Sequence, residues 1–219
     1  MDSSDADLKA AREHMLRRHL EGRGIRDRRV LAAMAKVPRE RFVDARFHDS
    51  AYADQALGIA CGQTISQPYM VGLMSQALEL TGRERVLEVG TGSGYQAAVL
   101  AELARQVVSI ERHQPLSRKA GEVLSDLGYT NVTLVVGDGT LGWPPAAPYD
   151  RVLVTAAAAR VPPALLDQLV AGGTLVIPLG ERDQQVLQAV RKLSGGPAAE
   201  SLCACRFVPL VGEEGWTEG

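Results

Sequence analysis

The sequence predicts an α/β protein: a doubly wound, mostly parallel seven-stranded sheet with an N-terminal helical extension and a C-terminal antiparallel hairpin. Three observations predict it. From Glu84 onward, short β-branched or aliphatic runs alternate with helical stretches, the βαβα order of a parallel sheet covered on both faces. The first of these runs enters a turn with glycines at alternate positions, Gly90, Gly92 and Gly94. The last two extended runs, Gln184–Leu193 and Ser201–Pro209, flank Ser194-Gly195-Gly196-Pro197, which reads as a hairpin loop.

The elements follow in order. Leu8, Ala11, Met15 and Leu20 fall near helical spacing, and Gly22 and Gly24 break the run. A second helix follows Asp27, with Val30, Leu31, Met34 and Val37 on one face and Pro38 at its end. Arg85–Val89, Val107–Ile110, Val132–Val136, Arg151–Val154 and Thr174–Ile177 read as buried strands. Gln96–Ala104, Leu116–Leu127 and Pro163–Leu169 read as the helices between them. The expected organisation is a single domain, 1–219, with a helical extension over 8–60, a polar loop over 61–72 and the α/β core over 84–212.

Composition narrows the function classes. Apolar residues make up 46% of the 219 and charged residues 23%, which excludes wholesale disorder. Lys and Arg total 24 against 26 Asp and Glu, so the net charge of −2 excludes a global basic coat for nucleic acid. The segment Lys9–Arg46 nevertheless holds 12 basic and 5 acidic residues, read either as a solvated pair of helices or as a surface for acidic partners. Cys61 stands alone, and Cys203 and Cys205 lack zinc or redox spacing, so reduced thiols and no metal site are expected. The acidic, polar start Met1–Asp7 lacks the order of a signal peptide, and no long apolar run suits a membrane span. A cytoplasmic protein is the expectation.

The glycine turn, Val86-Leu87-Glu88-Val89-Gly90-Thr91-Gly92-Ser93-Gly94-Tyr95, is the most informative stretch. Glycines there permit a tight turn and close approach of the backbone to a ligand, with free N–H groups at the helix start. Gly92, Gly94 and Ala97 fit a G-x-G-x-x-A dinucleotide fingerprint, and Glu111 at the end of the next strand suits ribose hydroxyls. These features fit NAD and S-adenosylmethionine alike. Glu88 disfavours a pyrophosphate and suits an ammonium or sulfonium, and Gly137-Asp138-Gly139 offers a second carboxylate for an adenine amino group. The pattern E-x-G-x-G-x-G, an acid after the second strand and an Asp after the third resembles the class I S-adenosylmethionine-dependent methyltransferases.

Upstream lies Gly62-Gln63-Thr64-Ile65-Ser66-Gln67-Pro68-Tyr69, a polar loop before a helix. It suits either orientation of a polar substrate or capping of that helix by Ser66 or Gln67. G-Q-T-I-S-Q-P resembles the signature of the protein-L-isoaspartate O-methyltransferase family. Val37-Pro38-Arg39-Glu40-Arg41-Phe42-Val43, Ser109-Ile110-Glu111-Arg112, Gly137-Asp138-Gly139, Val154-Thr155-Ala156-Ala157 and Arg206-Phe207-Val208-Pro209-Leu210 follow in the family's order, and the likeness spans roughly residues 8–212. Cys61, where relatives often carry Gly, and Thr140-Leu141 depart from the pattern.

The resemblance implies methyl esterification of the α-carboxyl of L-isoaspartyl residues in damaged proteins and peptides, initiating repair through a succinimide, with S-adenosyl-L-homocysteine as product. It implies catalytic roles for Ser66 and Thr64. It implies cofactor contacts from Gln63, Glu88, Gly90, Thr91, Gly92, Ser93, Gly94, Glu111, Arg112, Gly137, Asp138 and Gly139. Ile65, Gln67, Arg206, Phe207, Val208 and Pro209 would meet the substrate. His14, His19, His48 and His113 lie outside these motifs and read as surface or structural. The implied partners are isoaspartyl proteins and peptides, with no nucleic acid and no membrane, acted on by a monomer. Rival readings are a peptide aspartate methyltransferase of peptide maturation, a non-catalytic peptide-binding module, an NAD-dependent dehydrogenase and an RNA methyltransferase.

Overall fold

A computed structural model describes residues 3–218, and side chains from residue 6. Met1 and Asp2, part of the acidic start, lie outside the described residues. The helices are α1 (Ser3–His14), α2 (Arg28–Lys36), α3 (Pro68–Ala77), α4 (Tyr95–Leu103), α5 (Gln114–Asp126) and α6 (Pro163–Asp167). Two short strands, β1 (Leu57–Gly58) and β2 (Thr64–Ile65), pair antiparallel around the polar loop. The main sheet holds β3 (Arg85–Val89), β4 (Gln106–Glu111), β5 (Val132–Val136), β6 (Tyr149–Val154), β7 (Leu169–Gly180), β8 (Gln185–Leu193) and β9 (Gly196–Cys205). Its order is β5-β4-β3-β6-β7-β8-β9, parallel from β5 to β7 and antiparallel at the last two pairings. The α/β architecture is therefore the one the alternating pattern predicts.

The central strands read as apolar runs because helices cover both faces. Val86, Leu87, Val107, Val108, Val152, Leu153, Leu175 and Val176 are all buried. One core cluster joins α1–α3 to the sheet through residues such as Met15, Met34, Met74, Val86, Val107 and Val176. The other, with Leu87, Val108, Val152, Leu165 and Leu175, packs under α6 and the chain's end. A strand order that reverses at β3 puts the ends of β3 and β4 beside a crevice, where open α/β sheets hold ligands.

Some of the N-terminal basic residues tie the helical extension together or dock it on the core. Arg12 meets the Tyr52 hydroxyl at 2.7 Å and Glu40 at 3.2 Å. Arg29 donates to the carbonyls of Thr81 and Leu103, Lys36 pairs with Glu102 at 2.8 Å, and Arg41 pairs with Asp126 at 3.3 Å. Part of the local excess of positive charge thus meets carbonyls and carboxylates of the same molecule, and the rest faces solvent.

Three boundaries differ from the sequence expectations. The first helix runs on past His14 as a wider π-helical stretch, Met15–Leu20, before Gly24 turns the chain at φ 97°. Helix α6 stops at Asp167, and Leu169 already belongs to β7; Gly173 is needed there because a Cβ would meet Leu169 at 2.7 Å and the Asp150 carbonyl at 2.9 Å. The hairpin is tighter than expected. Leu193 pairs with Gly196 across Ser194-Gly195, so Gly196 and Pro197 are strand, and β9 ends at Cys205. Arg206–Pro209 leave the sheet and run beside Ala157, whose N–H donates to Val208 at 2.8 Å and whose carbonyl accepts from Leu210 at 2.7 Å.

Candidate active site

The crevice at the ends of β3, β4 and β6 is a cavity lined by the polar loop (Gln63, Thr64, Ile65, Ser66), the glycine turn and the start of β4's outgoing loop. Of the turn's three glycines, Gly90 and Gly92 line it and Gly94 does not. Gly90 takes φ 97°, and a Cβ there would meet the Thr155 hydroxyl at 2.4 Å. That hydroxyl donates within reach of the Val89 and Gly90 carbonyls, at 3.0 and 2.7 Å. Gly92, at φ 55°, leaves open the space a side chain would fill, where a Cβ would have only Ile59 near, at 3.7 Å. Gly94 is the N-cap of α4 at φ 89°, and a Cβ there would meet that of Ala120 at 2.9 Å.

Glu111 stands at the crevice, 5% exposed. Its Oε2 accepts from Gly92 N and its Oε1 from His113 N, both at 2.9 Å. Each oxygen keeps a further lone-pair direction, so the carboxylate braces the turn and still has capacity for a ligand hydroxyl. Arg112 and His113 also line the cavity, so His113 is a cavity residue and not a remote structural histidine.

Across the crevice, Ser66 caps nothing. Gln67 is the N-cap of α3 without a side-chain bond, and the Asp54 carboxylate accepts Tyr69 N at 3.0 Å instead. The capping alternative for the loop therefore fails, and Ser66 and Thr64 line the same cavity as the glycine turn. Cys61, at the loop's start, takes φ 57°, a left-handed conformation unusual for a side-chain-bearing residue.

Several predicted site residues sit elsewhere. Glu88 does not line the cavity; it is fully buried in β3, where register pairs it with Ser109. The Ser109 hydroxyl donates to Glu88 Oε2 and lies 2.6 Å from the Thr91 hydroxyl, so Glu88 reaches the turn through two hydroxyls. Burial pushes its pKa up to about 8, against the Ser109 hydrogen bond and with the Glu111 charge adding to the rise. Gly137 and Asp138 line a separate hollow with Arg112 and the chain's end, Val211 to Glu218. Asp138 accepts from Thr140 N and Oγ1 at 2.9 and 2.7 Å and from Glu213 N at 2.8 Å. Burial opposes its charge, and those hydrogen bonds overcome the penalty and hold its pKa below the ordinary value.

Gly139 does reach the main cavity, as do Val208 and Pro209. Arg206 and Phe207 do not. Arg206 pairs with Asp183 at 3.2 Å on the surface, and Phe207 packs against the helical core, because the chain leaves the sheet only after Cys205. Gln67 lies outside the lining as well. Thr155, Leu210, Tyr95 and Gln96 are lining residues that sequence reading missed as site residues. The β6-end position of Thr155, beside the sheet's reversal, is the signal that could have found it.

The lining fits an adenosyl cofactor: a glycine turn with no side chain over Gly92, a buried carboxylate with spare acceptor capacity and an apolar wall of Ile110, Val89 and Leu210. Among the described residues, no helix is long and apolar enough to cross a membrane, and no group of three or more His, Cys, Asp or Glu is placed to hold a metal.

Known proteins resemble this chain closely. The family model described as protein-L-isoaspartate(D-aspartate) O-methyltransferase matches residues 10–215. A protein-L-isoaspartate O-methyltransferase 2 of Geotalea uraniireducens is 53% identical over 211 residues, covering 96% of this chain and 97% of its own. A protein-L-isoaspartate O-methyltransferase 1 of Syntrophobacter fumaroxidans is 54% identical over 206 residues, with 94% and 96% covered. Among solved structures, a protein-L-isoaspartate O-methyltransferase superposes with a TM-score of 0.83 at 29% identity, over 93% of this chain and 66% of that one. A Plasmodium falciparum relative, crystallised with S-adenosyl-L-homocysteine, gives a TM-score of 0.78 at 25% identity, over 93% and 97%. With the glycine turn, Glu111 and the Ser66 loop around one cavity, and with a match over nearly its whole length, this chain belongs to the protein-L-isoaspartate(D-aspartate) O-methyltransferase family.

Proposed function

We propose that the protein esterifies the α-carboxyl of L-isoaspartyl residues in damaged proteins and peptides, using S-adenosylmethionine, and so opens their repair through a succinimide. The observation that carries this reading is the convergence of the Gln63–Ser66 loop and the glycine turn on one cavity. S-adenosylmethionine, when bound, supplies an electrophilic methyl group on a sulfonium. Gly90, Thr91, Gly92, Ser93 and Gly94 would bind it with backbone and hydroxyl groups, Glu111 would accept from its ribose, and Gly139 and Arg112 would flank it. Val208, Pro209 and Ile65 would wall the peptide, and Gln63 would close the loop side.

An isoaspartyl α-carboxyl has a pKa of ~3.5, so at neutral pH it is already a nucleophile and needs no general base. The Ser66 hydroxyl, with Thr64 beside it, would orient that carboxylate with one neutral hydrogen bond. A neutral donor suits the step: opposite charges cancel in the transition state, so a stronger, charged donor would hold back the carboxylate. Most of the rate would come from positioning and exclusion of water, worth up to ~7–11 kcal/mol. The protein would act as a cytoplasmic monomer without nucleic acid: its three cysteines are free, and Arg29 and Lys36 of the basic segment meet internal partners. Labelled S-adenosylmethionine offered with an isoaspartyl peptide, its aspartyl isomer and an RNA tests the proposal. Label should enter the isoaspartyl peptide alone; label in the RNA or in the aspartyl peptide would replace it with a rival reading.

A further inference from the structure

Arg39 lies in the turn after Pro38, and its side chain is fully buried. A buried guanidinium is retained only when its hydrogen bonds are made. Its Nε donates to the Ala51 carbonyl and its Nη2 to the Ser66 carbonyl, both at 2.7 Å. The guanidinium lies 4.8 Å from the centroid of the Tyr95 ring. Among the described residues no carboxylate forms an ion pair with it, and its Nη1 has no partner. One side chain therefore ties together three places distant in sequence: the Ala51 segment, the Ser66 loop and the first residue of α4.

Two of these places face the cavity. Ser66 and Tyr95 both line it, whereas Arg39 does not. Around Ser66 few other restraints act. Strand β2 ends at Ile65, α3 begins at Pro68, and the Gln67 N-cap has no side-chain bond. The loop is held at Tyr69 N by Asp54 and at the Ser66 carbonyl by Arg39.

We propose that Arg39 is a positioning residue for methyl transfer: by holding the Ser66 carbonyl against Tyr95 it sets where the Ser66 hydroxyl meets the substrate carboxylate. The inference rests on the methyl-transfer reading above. Arginine is suited to the task because its planar fork directs two bonds to separate carbonyls while one face stacks on an aromatic ring. A lysine carries its three donors on one nitrogen, without the fixed fork or the flat face, so it keeps the charge and loses the geometry that directs the two bonds.

The test uses R39K and R39M in the full chain, with S-adenosylhomocysteine affinity by calorimetry, Tm, and kcat and KM for an isoaspartyl peptide. In R39K the S-adenosylhomocysteine affinity should stay within about threefold, while kcat/KM for the peptide falls about 10- to 100-fold, the size of effect a displaced reacting group brings. R39M should lose at least as much, and R39K should recover part of it. An R39K enzyme within about twofold of wild type in kcat/KM overturns the proposal, and so does an equal fall in cofactor affinity, which would mark Arg39 as general scaffold. Should R39M not fold, R39K decides alone. Should wild type fail to methylate the peptide, the reaction assignment falls instead. Hydrogen exchange of the 63–67 amides then tests Arg39: faster exchange in R39K supports the clamp, and unchanged exchange refutes it.

Discussion

Glu88→Gln separates two roles that the residue's position invites. In the middle of β3, with Oε1 unpartnered and Oε2 held only by Ser109, Glu88 is fully buried. Its pKa rises from 4.5 to about 8, chiefly through burial. Between those two values the folded protein binds a proton that the unfolded chain releases. The residue's contribution to stability is therefore fully present below that window, falls as pH rises through it and is gone above it. One pKa unit corresponds to about 1.4 kcal/mol, so the loss has a ceiling on the order of 5 kcal/mol.

Glutamine is neutral at every pH and keeps an acceptor for Ser109. E88Q should match wild type near pH 5 and exceed its stability by on the order of 2–4 kcal/mol near pH 8.5. Urea unfolding of both proteins across that range reads the difference directly. Because Glu88 does not line the cavity, S-adenosylhomocysteine affinity should change by less than about tenfold. A stability difference that stays flat with pH would refute the burial argument. Loss of S-adenosylhomocysteine binding would show that the charge itself serves the ligand.

Other residues yield sharper contrasts. Ser66→Ala should keep S-adenosylhomocysteine affinity and lose about 10- to 100-fold in turnover, the worth of a hydrogen bond to a charged group, measured by calorimetry beside a methyl-transfer assay. Glu111→Ala should do the reverse and weaken S-adenosylhomocysteine by a similar factor; it also strips Gly92 N and His113 N of their acceptor, so the turn itself should loosen. Cys61→Gly should raise stability by roughly 0.5–1 kcal/mol in denaturant titration, since φ 57° burdens a side chain and suits glycine.

Much of this was legible in the sequence because the strongest signals are local. The glycine turn, Glu111 and the apolar runs of β3 to β6 declare themselves by residue type and period, and Arg85–Val89 and Val132–Val136 fall where the pattern puts them. What escaped depends on long-range contacts. Nothing near Arg39 announces that its guanidinium crosses to Ser66, 27 positions on. Asp54, not Ser66, serves the amide of Tyr69, a pairing that only the folded chain brings together. Arg206 and Pro209 look alike as members of one extended run, yet the exit from the sheet at Cys205 sends the first to Asp183 and the second to the cavity. Glu88 misleads for a related reason: the turn that follows it lines the site, while β3 is buried on both faces and keeps the Glu88 side chain inside.

The claim that matters most is that this cavity chooses an isoaspartyl carboxylate. Its most direct test places the isoaspartyl and aspartyl isomers of one peptide in a single tube with limiting labelled S-adenosylmethionine, and separates the products by chromatography. Membership of the family predicts ester on the isoaspartyl isomer and none on its partner. Equal labelling of the two isomers, or labelling of neither, would contradict it.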